Sequence, residues 1–561
     1  MSKKILASLS ELWRARRDLC ITLILFAAAM ALFATDWFRE LQYDGVSTVG
    51  AERVLRGEIP YRDFWTMYAP GHFYLLALVF LVFGTHLLAE VVAASVISAA
   101  AACLCYWVAL RIVNRRGGAL LCAAVFAAAI YHHGYFRRLG SYPTGIFLVF
   151  LCLLLVLIFQ ETNRLKYLAA AGATLGAAII FKHDVGAYTA IAVVVGLWVH
   201  GLVSRPPTVL RSCMTQTIVF AFAATAIVAP VLAYFVIVAG PDIYQDLVVF
   251  PGGDFRFSRG EYFPTLIPFG LRQDSLLRTL MAAVNYWNLI FPCLLLLLGY
   301  IAMGMATARN RALHVSWGAI LSTAFLFHYS AAHVQINTHV ITMSVYGTML
   351  GVMFYSYARG TEWGALPRFK RMTAAFLTVW FVAMLAVPGY RALRKRSAAA
   401  PEWIGQTTPL GIDKVAGFKV HSQTARHLTE LTDFVKASVP PGEPIFIGLH
   451  RHDVVIIGDK MLYFLLDRPS ATRYQELHPA ITDTAPVQRE IIDDLINKNV
   501  RLIVRKYIFD DVALDRMKTS FLLNMPHVGA TLLDEFLSER YERVREIGPY
   551  EVWQLKEPGE E

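Results

Sequence analysis

Residues 71–83 read Gly-His-Phe-Tyr-Leu-Leu-Ala-Leu-Val-Phe-Leu-Val-Phe. The run is apolar from His72 to Phe83 but only about 13 residues long, whereas a membrane span needs about 20. Whether it crosses decides the side on which every later loop falls. By length it reads as an interfacial or re-entrant segment.

Outward from it lie clear spans at roughly 19–35, 87–112, 118–134, 143–160, 216–239, 284–303, 312–330, 338–357 and 372–388. A long apolar stretch, 167–202, is broken by Phe181-Lys182-His183-Asp184. Three polar side chains in hydrocarbon are costly, so the break is a hairpin tip between two short spans. The expected fold class is a polytopic α-helical membrane protein of about 11 spans. The composition agrees: 56% of the 561 residues are hydrophobic and 17% charged, against about 25% charged in soluble domains. Mean hydropathy is +0.47.

Charge then sets the parity. If 71–83 does not cross, then within residues 1–389 the N-terminus and the loops on its side carry 18 Lys+Arg and 4 Asp+Glu, and the opposite side carries 11 and 13. The positive-inside rule places the N-terminus in the cytoplasm and the C-terminal third outside. The net charge of +10 thus reads as topology, and with no basic stripe interleaved with aromatics, nucleic acid is not an expected partner. The seven cysteines sit in or beside apolar stretches without zinc-site spacing. No Asn-x-Ser/Thr occurs, which favours a bacterial inner (cytoplasmic) membrane.

Residues 1–389 form the expected transmembrane domain, with the first outer loop at 36–86, and 390–561 a separate extracytoplasmic domain. In the latter, strand-like Pro444–Gly448 and Val500–Val504 alternate with helix-like Gln488–Asn497, and helix-like Glu535–Glu546 leads into Tyr550–Leu555. That alternation predicts a small α/β layer. Its lack of cysteine excludes a disulfide frame.

A transporter places ionisable residues near mid-membrane on broken helices; here they gather at the outer ends of spans. The first outer loop holds Asp36, Glu40, Asp44, Glu52, Glu58 and Asp63 beside Arg39, Arg53, Arg56 and Arg62. Val46, Val49, Val54 and Leu55 recur at near-helical spacing, with Glu52, Arg53 and Arg56 on other faces, which predicts an amphipathic helix on the membrane. Asp44 stands at its start, where a carboxylate is either a helix cap or a reactive group. The other outer connections add cations and rings: His132, His133, Arg137 and Arg138; Lys182 and His183; Arg256, Arg259 and Tyr262; His328, His333 and His339. Arg and Lys from several elements suit phosphate, while each alone also reads as a side chain snorkelling at a helix end.

Tyr43-Asp44-Gly45, Ala51-Glu52-Arg53-Val54-Leu55-Arg56-Gly57-Glu58-Ile59-Pro60-Tyr61-Arg62-Asp63-Phe64, Ala69-Pro70-Gly71 and Phe83-Gly84 resemble the amino-terminal module of GT-C-fold glycosyltransferases, which include protein O-mannosyltransferases and the aminoarabinose transferase of lipid A. The likeness covers roughly residues 15–200, and Gly172-x-x-x-Gly176…Phe181-Lys182 looks like the fifth span of that group with its terminal lysine. Arg451-His452-Asp453 and Leu462-Tyr463-Phe464 resemble the carboxyl-terminal domain of bacterial members.

The resemblance implies transfer of a sugar from a polyprenyl-phosphate carrier to a hydroxyl of a glycan, lipid or protein, on the outer face, with inversion. Asp44 matches the position of the catalytic base, and Lys182 a position facing the phosphate. Topology adds Arg137, Arg138, Arg256 and Arg259 as phosphate contacts. Asp63, His72, Glu52 and Tyr262 join them as substrate-binding candidates, together with Glu40, Arg53 and His333. Asp63 equally suits pairing with Arg62 or Arg56. Many relatives carry an Asp-Glu pair where this chain has Asp44-Gly45, and the 131–142 loop lacks the acidic residues of metal-using members. No cofactor is therefore expected, and no metal. The other readings are a lipid-linked sugar flippase or transporter, a polysaccharide polymerase or ligase, and an unreactive glycan-binding protein. The C-terminal domain either binds the acceptor or braces the outer loops.

Overall fold

The structure is a computed structural model that describes residues 3–35, 37–38, 41, 45–132, 138–240, 242–252, 311–331, 345–346, 348–350, 353, 406–455, 458–507, 514 and 529–557. The spans expected at 284–303 and 372–388, and most of 338–357, lie outside the described residues.

The chain forms two compact units. One comprises residues 1–35, 94–230 and 262–398; the other 36–93, 231–261 and 399–561. Residues 36–86 therefore fall in the same unit as most of the C-terminal third.

The first unit is a helical core. Helices α1 (Lys3–Ala34), α4 (Leu87–Val113), α5 (Arg116–His132), α6 (Ser141–Thr162), α7 (Leu165–Phe181), α8 (His183–Ser204), α9 (Val209–Ala239) and α10 (Arg311–Ala331) coincide with spans read from the sequence; residues 87–93 of α4 and 231–239 of α9 count with the second unit. Among the described residues five helices are long and apolar enough to cross a membrane, and four more are apolar but shorter. Their outward faces are as apolar as their cores: Phe222 and Ile237 of α9 are 75% and 82% exposed. Water would penalise such faces, but lipid does not. Polar ties also join the helices. Arg116 clamps the buried Asp18 through Nε at 2.6 Å and Nη2 at 3.0 Å, and the Trp317 indole donates to Gln160 Oε1 at 2.7 Å.

Two glycines set the approach of α7 to α9. A Cβ on Gly172 would collide with the Phe220 carbonyl, and one on Gly176 would lie 2.5 Å from the Ala224 carbonyl. Without side chains on that stripe the two backbones pack directly, as in small-residue interfaces of membrane helices.

In the second unit α2 (Val46–Leu55) and α3 (Gly71–Phe83) precede α4. Helix α3 has the bounds expected, and at about 1.5 Å per residue it reaches only about 20 Å, short of a bilayer. Phe73, Leu76, Ala77 and Phe80 are buried, whereas Leu78, Leu81, Val82 and Phe83 are exposed, the pattern of a helix with one face in lipid.

The C-terminal residues build a ribbon of β1 (Thr407–Pro409) and β2 (Lys419–His421) and a mixed sheet of β3 (Phe446–Leu449), β4 (Leu502–Lys506), β5 (Tyr541–Ile547) and β6 (Tyr550–Leu555) in the order β3-β4-β6-β5. Strands β3 and β4 are parallel and the other pairs antiparallel. Helices α11 (Ser422–Ser438), α12 (Met461–Leu466), α13 (Ala485–Asn497) and α14 (Leu532–Arg540) complete the layer. One expectation is corrected: Glu535–Glu546 is not one helix, because the chain turns to strand at Tyr541. Glu542, Arg543, Arg545 and Glu546 mask the strand by composition, yet β5 is an edge strand with a bulge between Arg543 and Arg545, where outward charges are tolerated and deter pairing with other chains.

Gly172→Val is expected to destabilise the detergent-solubilised protein by about 1–3 kcal/mol, read as a fall in melting temperature. Ala170→Val, on the exposed side of α7, should leave the melt unchanged.

Candidate functional site

The loop that the sequence singles out is built on α2. Its first intrahelical bond runs from the Val49 N–H to the Gly45 carbonyl at 2.8 Å, which makes Gly45 the cap residue. Asp44 precedes that position and lies outside the described residues. A Cβ on Gly45 would sit 2.8 Å from Met461 Cα, 2.9 Å from Met461 N and 3.3 Å from the Lys460 carbonyl carbon. The backbone at the start of α12 leaves no room for a side chain there. That contact accounts for the glycine at position 45.

Glu52 and Arg53 depart from the amphipathic reading. Both are buried rather than on a polar outer face, because the C-terminal chain covers them. Lys414 donates to Glu52 Oε1 at 2.5 Å and to Asp467 Oδ1 at 2.5 Å, with its ammonium 4.9 Å from the Phe464 ring centroid. Burial pushes the Glu52 carboxyl up from its ordinary value, against the pull of Lys414. The Arg53 guanidinium donates to Glu58 Oε2 at 2.6 Å, to the Asp63 carbonyl at 2.7 Å, to the Thr472 carbonyl at 3.1 Å and to Gln475 Oε1 at 3.3 Å. Five rigid donors on one planar group suit such a junction.

The stretch Gly57-x-x-Pro60-Tyr61-x-Asp63-Phe64 is a turn. Gly57, at φ +87°, reverses the chain after α2 in a conformation that costs any other residue a Cβ clash. The Ile59 N–H donates to Asp63 Oδ2 at 2.6 Å, and Arg62 grips both Asp63 oxygens at 2.8 and 2.6 Å. Arg62 thus settles the pairing, since Arg56 bonds Glu58 at 3.1 Å. Its hydrogen bonds hold the Asp63 carboxyl below the usual range. The Trp65 N–H donates to the Arg473 carbonyl at 2.9 Å and its indole to Asp246 Oδ1 at 3.0 Å. Asp246 is buried on a π-helical turn, Gln245–Val249. His72 is buried in α3 with Nδ1 2.9 Å from the Ala69 carbonyl.

In the other unit Lys182 sits at the break between α7 and α8. It is buried, with Nζ 3.0 Å from Asp184 Oδ2 and 4.6 Å from the Tyr142 ring centroid. A Cβ on Gly145 would lie 2.9 Å from the Lys182 Cβ, so α6 and the break are in direct contact. Arg138, just before α6, is buried as well. The structure thus brings Glu52, Arg53, Asp63 and His72 into one unit, and Lys182 and Arg138 into the other. Glu40, Arg137, Arg256, Arg259, Tyr262 and His333 lie outside the described residues. Sequence reasoning passed over Glu90, Lys414 and Asp246. Only Glu90 carried a signal, as a carboxylate inside an apolar span; Lys414 and Asp246 become partners only through folding.

No family model matches the sequence, and no curated protein does. Among solved structures, ArnT from Cupriavidus metallidurans bound to undecaprenyl phosphate is similar at a TM-score of 0.50 and 14% identity, over 96% of this chain and 97% of that one. The apo state of the same protein matches at 0.50 and 14%, over 97% and 98%. The chain has the GT-C fold. In GT-C terms it is a polytopic helical membrane protein with a C-terminal region that carries the sheet.

Lys414→Ala should destabilise the protein by roughly 3 kcal/mol, because it strands the buried Glu52 charge; Glu52→Gln with Lys414→Met should recover most of that in thermal melts. A carboxyl whose folded pKa is raised takes its proton at higher pH when folded than when unfolded. Falling pH therefore favours the folded Lys414→Ala variant through the interval above the ordinary carboxylate value. Its melting deficit should shrink as pH drops through that window.

Proposed function

We propose that this protein is an inverting glycosyltransferase that moves a sugar from a polyprenyl-phosphate carrier to an acceptor hydroxyl on the outer face of a bacterial inner membrane. The observation that carries the reading is the start of α2. Gly45 fills the cap position, so the cap role that competed for Asp44 in the sequence is taken by its neighbour, and we assign the acid to chemistry. The GT-C fold supports it, as does the bound undecaprenyl phosphate in the similar ArnT structure.

In the proposed step the Asp44 carboxylate accepts the proton of the acceptor hydroxyl. The freed oxygen attacks the anomeric carbon as the carbon–oxygen bond to phosphate breaks, and polyprenyl phosphate leaves with the electron pair. One displacement inverts the anomeric centre. Charge grows on the leaving phosphate, so cations lower the barrier there. Lys182 and Arg138 are proposed for that role with Arg137, Arg256 and Arg259. An ammonium already desolvated beside Asp184 and the Tyr142 ring loses little further hydration on meeting an anion. Glu52, Arg53 and Asp63 are assigned to the scaffold of the loop, and the C-terminal region to bracing it, since their partners either close the loop's own turn or tie it to Lys414, Thr472 and Gln475. The acceptor is a glycan, lipid or protein hydroxyl, and the step requires no metal.

The test is release of free polyprenyl phosphate from a panel of polyprenyl-phosphate sugars by protein in detergent, followed by mass spectrometry with candidate acceptors present. Turnover is expected to continue in chelator and to fall about 10²–10⁴-fold in Asp44→Asn. Unchanged release by Asp44→Asn would remove the base assignment, and no release by the parent chain from any donor would remove the transferase reading.

A further inference from the structure

The Phe235 ring, near the end of α9, is the centre of three tyrosines. Tyr61 meets it at 5.4 Å between ring centroids, Tyr234 at 5.1 Å and Tyr74 of α3 at 6.3 Å. All four residues belong to the second unit. Tyr61 is buried and donates its hydroxyl to the Tyr68 carbonyl at 2.7 Å. Tyr74 and Tyr234 are 40% and 46% exposed, and neither phenol is hydrogen-bonded among the described residues. Arg62 stands close enough for its charge to act on both. A guanidinium has five N–H donors, and Asp63 engages Nε and Nη2 alone. Both members of that ion pair reach the surface, so a cation and an anion stand side by side next to two phenols.

Two apolar rows meet this cluster. On α3 the exposed residues Tyr74, Leu78, Leu81 and Val82 follow the spacing of one helix face. On α9 the exposed row is Ile227, Tyr234 and Ile237. Each row is apolar except for its tyrosine. A ring with an apolar body and a polar tip belongs at the level of the lipid headgroups. There the hydroxyl needs an acceptor, since a bare one in hydrocarbon is costly. A headgroup phosphate supplies that acceptor, and it suits a guanidinium equally.

We propose that Arg62, Asp63, Tyr74 and Tyr234 form a seat for a zwitterionic aminophospholipid of the bilayer. Its phosphate accepts from the guanidinium and the two phenols, and its primary ammonium donates to the Asp63 carboxylate. Its acyl chains lie along the exposed rows of α3 and α9. The charge pattern selects this occupant. A purely anionic lipid meets Asp63 as a like charge, and a quaternary ammonium has no N–H to give it. The seat ties the turn after α2 to the membrane and is independent of the transfer chemistry.

The experiment is native mass spectrometry of the full chain, stripped of lipid in detergent and then titrated with phosphatidylethanolamine, phosphatidylcholine and phosphatidylglycerol of the same acyl chains. Phosphatidylethanolamine should bind about tenfold more tightly than either of the others. Arg62→Gln should weaken it about tenfold, through loss of the charged donors. The double variant Tyr74→Phe/Tyr234→Phe keeps both rings and should weaken it by a similar factor. Asp63→Asn, which keeps an acceptor for the Ile59 N–H, should bring phosphatidylethanolamine to the level of phosphatidylcholine and leave phosphatidylcholine no weaker. Thermal melts in lipid-free detergent show that each variant is folded, and the exposed phenol hydroxyls can be removed without touching the core. Equal affinity for the three lipids overturns the proposal, as does parent affinity in Arg62→Gln or in the tyrosine double variant. Displacement of phosphatidylethanolamine by an equal concentration of polyprenyl phosphate gives the seat to that lipid instead and overturns it too.

Discussion

The absence of a side chain at Gly45 is the constraint on which the unit around α2 depends. The Met461 backbone comes within 2.8 Å of where a Cβ would stand, a distance that no side chain tolerates. Around that contact the chain adds polar ties between residues about 360–420 apart in sequence: Glu52 to Lys414, and Arg53 to Thr472 and Gln475. The Trp65 N–H donates to the Arg473 carbonyl, and the Arg473 guanidinium donates to the Tyr61 carbonyl. Each tie sets a charge or a peptide group against a hydrogen-bonding partner. A half-satisfied version would cost more than it returned. The 45–83 stretch and the C-terminal residues are thus parts of one folded unit.

Much of this architecture was legible in the sequence. Apolar length and loop charge located α1 and α4–α10, the hairpin tip at Lys182 and the 13-residue α3, because helices in lipid must satisfy their own backbone and advertise themselves as long apolar runs. The strands were harder. β3 and β4 are buried and apolar and were visible, whereas β5 carries charges at four of its seven positions and passed for helix. An edge strand answers to one neighbour only, and its composition says little about pairing.

The site was legible in part and for a different reason. Asp44 stood out by its motif, but the motif itself is mostly scaffold. Gly57 supplies a left-handed turn, Asp63 closes it on Ile59 under the grip of Arg62, and Phe64 fills it. Residue types chosen for chemistry and those chosen for a tight turn look alike in one sequence. Glu52 and Arg53 looked like the wet face of a membrane-surface helix until Lys414, Thr472 and Gln475 covered them. No local pattern announces a partner several hundred residues away, and the same holds for Asp246 beneath Trp65.

If loop and C-terminal region are one body, the helix that follows the proposed base is held by a scaffold that closes only when the last third of the chain has folded. The most direct measurement is a zero-length carbodiimide cross-link on the purified full-length protein, read by mass spectrometry of the proteolytic fragments. The structure predicts an amide bond between the Lys414 amine and the Glu52 carboxyl, 2.5 Å apart, lost in Glu52→Gln. Cross-links from Lys414 to Asp467 with none to any residue between 36 and 93 would contradict it.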